Sequence, residues 1–518
     1  MKSLLLLFSA LSLTLSIQAQ NFADEVAQLI FDNCASCHNP NGIAPFSLMN
    51  YQEVSNYAPQ IYDAIAQDVM PPWPPNDNYK EFAHSRALNE TDKSTILDWL
   101  LDGLPEGDPN NTPAPPVFSN DAVLGEGDLE VQMPTYMSKA SLTSDDYVCF
   151  SMPSGLLADR EIKAMEVIPG NPQIVHHCLV YIDESGTYET DSTSGTCSGP
   201  TNASLVGGFT PGATPLIFPN SADLKLGMNL PEGSNIVFAM HYPHGSYGEF
   251  DSTKVIFHFY DEGETGVREV SADPILQNWS FVLPADETTH VTADFTNSVP
   301  VDVSILSVFP HMHLLGNNIK SYGLTPAQDT IRLIDIPRWD FHWQDFYIYK
   351  NLVRVPSNSS LHAEGDYDNT SNNIHNPNNP PETVYPGFNT TDEMFIVYFH
   401  YLPYMQGDED HDLEAMTSLS LSEMIHVPES NINTYPNPTA DGVTIDVEGA
   451  KGKNNLSASV YDHTGKLVKV LTTNQDFMNT LSLDWDGNNK SGSTAPSGLY
   501  YVSIRLNGNI YSKKIVKL

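Results

Sequence analysis

The sequence predicts a multidomain chain: a small all-α domain, then two all-β jelly-roll-like sandwich domains, then a small C-terminal β-sandwich. Three observations predict this. At 518 residues the chain is too long for one core. Near residue 117 its texture changes from helical periodicity to short β-branched and aromatic runs separated by Gly, Pro and Asn. Polar or Pro-rich breaks at 105–116 and 428–434 punctuate it.

Taken in order, residues 1–19 begin Met1-Lys2-Ser3, continue with a short apolar run from Leu4 to Phe8, and end near Ala19. That pattern describes a secretory signal peptide and predicts export. Residues 20–104 form the helical domain, with apolar residues at helical spacing over 24–32, 61–69 and 93–101. A linker covers 105–118. Residues 119–275 and 276–426 are the two sandwiches, with strands expected at 236–242, 255–260, 301–308 and 394–401. Residues 434–518 are a separate β-domain with strands at 457–461, 500–505 and 510–516. No later apolar run is long enough to span a bilayer.

The formal net charge of −40 excludes nucleic acid as a partner, because phosphate binding needs clustered Lys and Arg. Five cysteines, an odd number, leave at least one thiol outside any internal bridge.

Cys34-Ala35-Ser36-Cys37-His38 is a C-x-x-C-H motif. Two thiols on one helical turn can form thioethers to haem vinyl groups, and the adjacent His then meets the iron. A zinc knuckle would need a second ligand pair nearby, and none follows closely. Met70 and Met49 compete as the opposite ligand. This first domain resembles the small c-type cytochromes. The resemblance implies an all-α cytochrome c domain, one haem c on Cys34, Cys37 and His38, and Met70, in its Met-Pro-Pro-Trp setting, as the sixth ligand.

Three clusters follow: Val175-His176-His177-Cys178, Met240-His241-Tyr242, and His311-Met312-His313, with Asp392-Glu393-Met394 far downstream. On a strand, His311 and His313 share a face. Imidazoles with a thioether favour copper, Cu(I) in particular. His176 and His177 diverge on a regular strand, so sharing a metal requires a strand end or twist there, with His241 as a third ligand.

In this order, and with Asp145-Asp146-Tyr147-Val148-Cys149-Phe150-Ser151-Met152-Pro153, the clusters resemble the type II copper, ascorbate-dependent monooxygenases over about residues 125–424. The resemblance implies two copper ions: one on His176, His177 and His241, supplying electrons, and one on His311, His313 and Met394, binding O2. It implies Tyr398 at the substrate site, a small organic substrate, and an external electron donor. The rival reading is a non-catalytic copper-binding or electron-transfer protein of the cell envelope. Where peptide-amidating members carry Arg and Gln, this chain has Phe309 and Ala239, so peptides are doubtful substrates and a more apolar or aromatic ligand is suggested. Cys149 matches a family cysteine but lacks its usual partner; Cys178 with Cys197 is one candidate pair, and the sequence leaves the pairing of Cys149, Cys178 and Cys197 open. His244, His362, His375 and His400 fall outside the motifs and are expected to be surface or structural.

Tyr435-Pro436-Asn437-Pro438, Gly498-Leu499-Tyr500-Tyr501-Val502 and the ending Lys513-Lys514-Ile515-Val516-Lys517-Leu518 resemble type A sorting domains of the type IX secretion system. That implies the type IX machinery as a partner and passage through the periplasm to the cell surface or medium.

Overall fold

A computed structural model describes residues 20–40, 42–116, 122–142, 144–197, 199–296, 299–417, 432–490, 492–506 and 509–518, apart from 463–466. The expected signal peptide lies outside them. The chain divides into two compact units, 1–418 and 419–518.

The N-terminal part of the first unit is helical. A π-turn Phe22–Val26 runs into the helix Ala27–Asn33, followed by Tyr51–Asn56, Ala58–Ala66 and Glu90–Leu101. Asn50 and Glu53 set one helix start: Asn50 Oδ1 accepts the Glu53 amide and Glu53 Oε2 accepts the Met49 amide. Asn89 caps the fourth of these helices by accepting the Thr91 and Asp92 amides on its Oδ1, which is why the helix begins earlier than its apolar periodicity suggests. Phe22, Ile30, Val54, Ile61, Ile96 and Trp99 form the core between them.

Two sandwiches follow. The first packs a four-stranded sheet, ordered Asp146–Pro153, Asn235–Tyr242, His177–Asp183, Ser204–Phe209, against a sheet built on Arg160–Ile168 and Lys254–Phe259. The second packs the sheet Ser271–Asn278, Phe395–Pro403, Val303–His311, Tyr347–Val355 against Thr288–Phe295, Ser360–Asp368, Gly316–Leu324, Thr330–Ile336. The strand Ser271–Asn278 already belongs to the second sandwich.

Strand parity decides which residues reach the functional cavity. In the first sandwich Val148, Phe150, Cys178, Val180 and Phe238 enter the core. Their neighbours Tyr147, Cys149, His177, Leu179, Tyr181, Ala239 and His241 take the opposite face. In the second, Val308, Phe395, Val397 and Phe399 enter the core, while Phe309, His311, Ile396 and Tyr398 face outward to the first sandwich.

The same parity decides the disulfide pairing that the sequence leaves open. Cys149 pairs with Cys197, and Cys178 is a free, fully buried thiol. Cys178 points into the core, on the wrong side of its strand to meet Cys197.

Residues 70–87 join the helical part to the second sandwich. Phe82 bridges to Tyr349, the Ala83 amide donates to Ile348 O (2.8 Å), and Arg86 pairs with Asp345 at 2.6 Å. The second unit is a five-stranded sheet ordered Ile432–Tyr435, Val443–Asp462, Gly498–Leu506, Asn509–Lys517, with Leu467–Trp485 on Val443–Asp462. Trp485, Val460 and Ile504 are in its core. Among the described residues no helix is long and apolar enough to cross a membrane.

Candidate metal centre

His177 and His241 are direct cross-strand partners, as are His241 and Tyr147. His176 lies just outside the strand His177–Asp183, where the chain leaves a turn, so its ring rejoins the other two instead of diverging. The ligand atoms of His176, His177 and His241 all lie within 4.8 Å of one another. His177 Nδ1 stands 3.2 Å from His241 Nδ1 and 3.5 Å from His176 Nδ1. Nitrogens bound at about 2.0–2.1 Å to one metal stand about 3.3–3.5 Å apart at tetrahedral to trigonal angles, so this spacing suits a shared ion.

His241 Nε2 meets Asp145 Oδ2 at 2.9 Å, which fixes the tautomer and leaves Nδ1 as an acceptor for metal. Tyr147 stacks on the His241 ring at 4.3 Å. Burial holds all three imidazoles below their usual range: His177 far below, His176 down to about 3, and His241 lowered despite the opposing pull of Asp145. Neutral imidazole is the metal-binding form. Burial alone would raise Asp145, but the hydrogen bond with His241 and the His244 amide outweigh it and keep the carboxylate ionised.

A second set stands across the cavity. His311 Nδ1–H donates to Gln344 Oε1 (2.5 Å) and His313 Nδ1–H to Asp392 O (3.0 Å), the tautomer that makes Nε2 the acceptor nitrogen of each ring. Burial lowers His311 to about 4 and His313 to about 3. Gln344 is itself tied to Phe341 O (2.7 Å). His311 pairs in register with Ile396 and Phe309 with Tyr398, so Met394, Ile396 and Tyr398 share the face that carries His311. Glu393 is fully buried. Its carboxylate accepts the amides of His313 (2.8 Å), Leu315 (2.6 Å) and Met394 (3.3 Å), and burial raises its pKa to about 8.

His177 of the first set and His311, His313 and Met394 of the second line one cavity of about 330 Å³, with Tyr398, Phe309 and Ala239 also in its wall. The Phe341 ring lies 6.5 Å from His241 and 5.7 Å from His313, a single aromatic between the two sets.

The Cys34–His38 turn is separate. The Cys37 and His38 amides both donate to Cys34 O. Both thiols are free, and burial pushes Cys34 up to about 12. His38 Nδ1–H donates to Phe46 O (3.0 Å), leaving Nε2 open. Met70 is 42% exposed, whereas Met49 packs against the helical core.

Asp145, Tyr147 and Glu393 sit within motif stretches that gave them no role. Gln344 and Phe341 carried no signal, since they come from a loop brought in by the fold. Of the histidines outside the motifs, His400 is structural, holding Leu205 O and Ser307. His362 pairs with Asp294 at the surface. His244 is exposed but touches Asp145.

Residues 280–417 match the family described as copper type II ascorbate-dependent monooxygenase, C-terminal domain. That segment carries His311, His313, Met394 and Tyr398. Residues 433–518 match the secretion system C-terminal sorting domain. The chain is 24% identical over 268 residues to a dopamine beta-hydroxylase of Canis lupus familiaris, covering 46% of this chain and 40% of that protein. It is 24% identical over 258 residues to the dopamine beta-hydroxylase of Rattus norvegicus, covering 46% and 39%. The matches thus span about two fifths of those relatives' length. Among solved structures, a surface component of the type-IX secretion system of Porphyromonas gingivalis is 19% identical, covering 24% of this chain and 15% of that one at a TM-score of 0.14. The family match and the three-histidine cluster together support copper, and the tail supports export.

Proposed function

We propose that this protein is a copper-dependent monooxygenase that hydroxylates a C–H bond of a small organic molecule. The balance is RH + O2 + two electrons + two protons giving ROH and water. The observation that carries it is that one cavity is lined by His177 of the three-histidine cluster and by His311, His313 and Met394 of the second set.

His176, His177 and His241 are the ligands proposed for one copper, and His311, His313 and Met394 for the second. Both sets fit: the donors are imidazole nitrogens and a thioether, with the other ring nitrogens of His241, His311 and His313 already engaged. Bound copper would supply the one-electron and dioxygen chemistry. The chain's own residues do the rest. Asp145, Gln344 and the Asp392 carbonyl hold the rings in place. The sandwich faces exclude water. Tyr398, which lines the same cavity as Met394, is proposed to offer its hydroxyl to the substrate, and burial raises its pKa, which keeps it a neutral donor.

Residues 20–104 are proposed as a c-type cytochrome domain. Free Cys34 and Cys37 on one turn, and a His38 whose Nδ1 is engaged, fit a covalent haem c. Met70 is proposed as the opposite ligand. Tethering would supply electrons, drawn from an external donor, at high effective concentration. Arg86 supports that role: it pairs with Asp345 beside Gln344, and a Cβ on Gly212 would lie 3.2 Å from Cys37 Sγ and 3.7 Å from Arg86 Nη1. The protein would receive haem in the periplasm and leave through the type IX machinery.

Metal and haem analysis of the purified protein, with electron paramagnetic resonance, tests the proposal. Two coppers per haem with type II signals are expected, with turnover abolished in Met394→Ala. One copper or none, or a Met394→Ala variant that loses only part of its metal and had no activity to lose, would leave a copper-binding electron-transfer protein instead.

A further inference from the structure

The cavity between the two histidine sets is walled without formal charge. Among the described residues, none that lines it is Asp, Glu, Lys or Arg. Its broad walls are Leu179, Tyr181, Phe309, Phe341, Ile396 and Tyr398. Phe309 is buried at 2% exposure, stacked on Phe346 at 4.6 Å and edge-on to Tyr398 at 6.1 Å. At the mouth Trp279 and Phe388 lie 5.1 Å apart, 39% and 45% exposed, a pair of large aromatic rings left at the surface where the cavity opens.

The ionisable groups around the histidine sets are committed to other partners. Asp145 is engaged by His241 Nε2 and the His244 amide. Glu393 is spent on three backbone amides. Arg86 and Asp345 neutralise each other. A ligand ammonium or carboxylate entering here would therefore lose its hydration and meet no protein counter-ion, which is costly. Uncharged partners are present: the hydroxyls of Thr201, Thr390 and Tyr398 and the amide of Gln277. They can satisfy a ligand hydroxyl or carbonyl. The volume lies at the small end of ligand cavities.

We propose that this cavity takes a neutral, mainly apolar small molecule, of one or two rings and no ionised group. The proposal rests on reading the cavity as the substrate site of a monooxygenase, and it names the substrate class. Copper on the histidines would make one wall cationic. That adds to the penalty for an ammonium and offers a carboxylate only the metal itself.

The test uses three ligands on one skeleton, 2-phenylethanol, 2-phenylethylamine and phenylacetate, with ethylbenzene and indole as further neutral probes. Each is titrated calorimetrically into the copper-loaded full chain at pH 7. The tightest neutral probe is expected to bind about 100-fold more tightly than the amine or the carboxylate. Thr390→Lys, a half-buried loop position in the wall, is expected to improve phenylacetate about tenfold relative to the neutral probes. Equal or tighter binding of either charged probe overturns the proposal. So does binding of none of the neutral probes, or an unchanged preference in both Thr390→Lys and Leu179→Asp. Neutral binding without oxygen-dependent conversion would instead remove the monooxygenase reading and leave the substrate class standing. Conversion of only a charged probe would do the reverse.

Discussion

The carboxylate of Glu393 accepts the backbone amide of His313 at 2.8 Å, and through the same side chain it also holds Leu315 and Met394. One buried carboxyl group thus ties the loop carrying one proposed ligand to the strand entrance carrying another. Its hydrogen bonds all come from main-chain N–H groups, so it acts by fixing backbone.

Glu393→Gln should therefore separate the two ligand sets. An amide places a donor where only acceptors are wanted, leaving a buried group unsatisfied at a cost of about 1–3 kcal/mol. Urea denaturation should show that loss. Copper analysis should show the His311–His313–Met394 set weakened while the three-histidine set stays filled.

Asp145→Asn should weaken the three-histidine set selectively. Removing the carboxylate partner of a metal-binding histidine typically costs about 10–100-fold in affinity. A competitive copper titration measures it; unchanged affinity would mean that Asp145 does not orient His241.

The bridge between Cys149 and Cys197 closes a separation of 48 residues. It also anchors the segment carrying Gly199, Pro200 and Thr201 at the cavity wall. Replacing both cysteines by Ser should cost about 2–4 kcal/mol of stability. The same change at Cys178, a free buried thiol, should not remove any crosslink, and intact-mass analysis after alkylation of the unfolded, unreduced chain will count one alkylated thiol fewer.

His400 links the sandwiches. Its Nε2–H donates to Leu205 O (3.1 Å) in the first, and its Nδ1 accepts from Ser307 Oγ (2.9 Å) in the second. Burial lowers its pKa from 6.5 to about 4. The folded chain keeps it neutral, so between those values the unfolded chain binds the extra proton. The stabilisation is complete above about 6.5 and is lost as pH falls towards about 4. Denaturation midpoints at pH 7 and pH 4.5 should fall less for His400→Gln than for the wild type; an equal fall would assign the pH dependence elsewhere.

Much of this was readable in one dimension. Cys34-Ala35-Ser36-Cys37-His38 and His311-Met312-His313 are local patterns, and local spacing fixes which side chains share a turn or a strand face. Helical and strand runs were likewise legible from periodicity, whereas the start of the helix Glu90–Leu101 was set by the Asn89 cap, ahead of the periodic run. The need for a strand end at His176 followed from its adjacency to His177.

What the tertiary structure alone decided is which distant residues meet. The partner of Cys149 depended on the face that each strand turned to the core, and Cys178 lay on the wrong one. Gln344 reaches His311 from 33 residues away, and Phe341 stands between two histidine sets, because a loop of the second sandwich folds back over the cavity. The absence of charge in that cavity is likewise a property of two sheet faces brought together. Sequence specifies parity along each strand; only packing decides which faces oppose each other, and that long-range choice leaves no periodic trace in the chain.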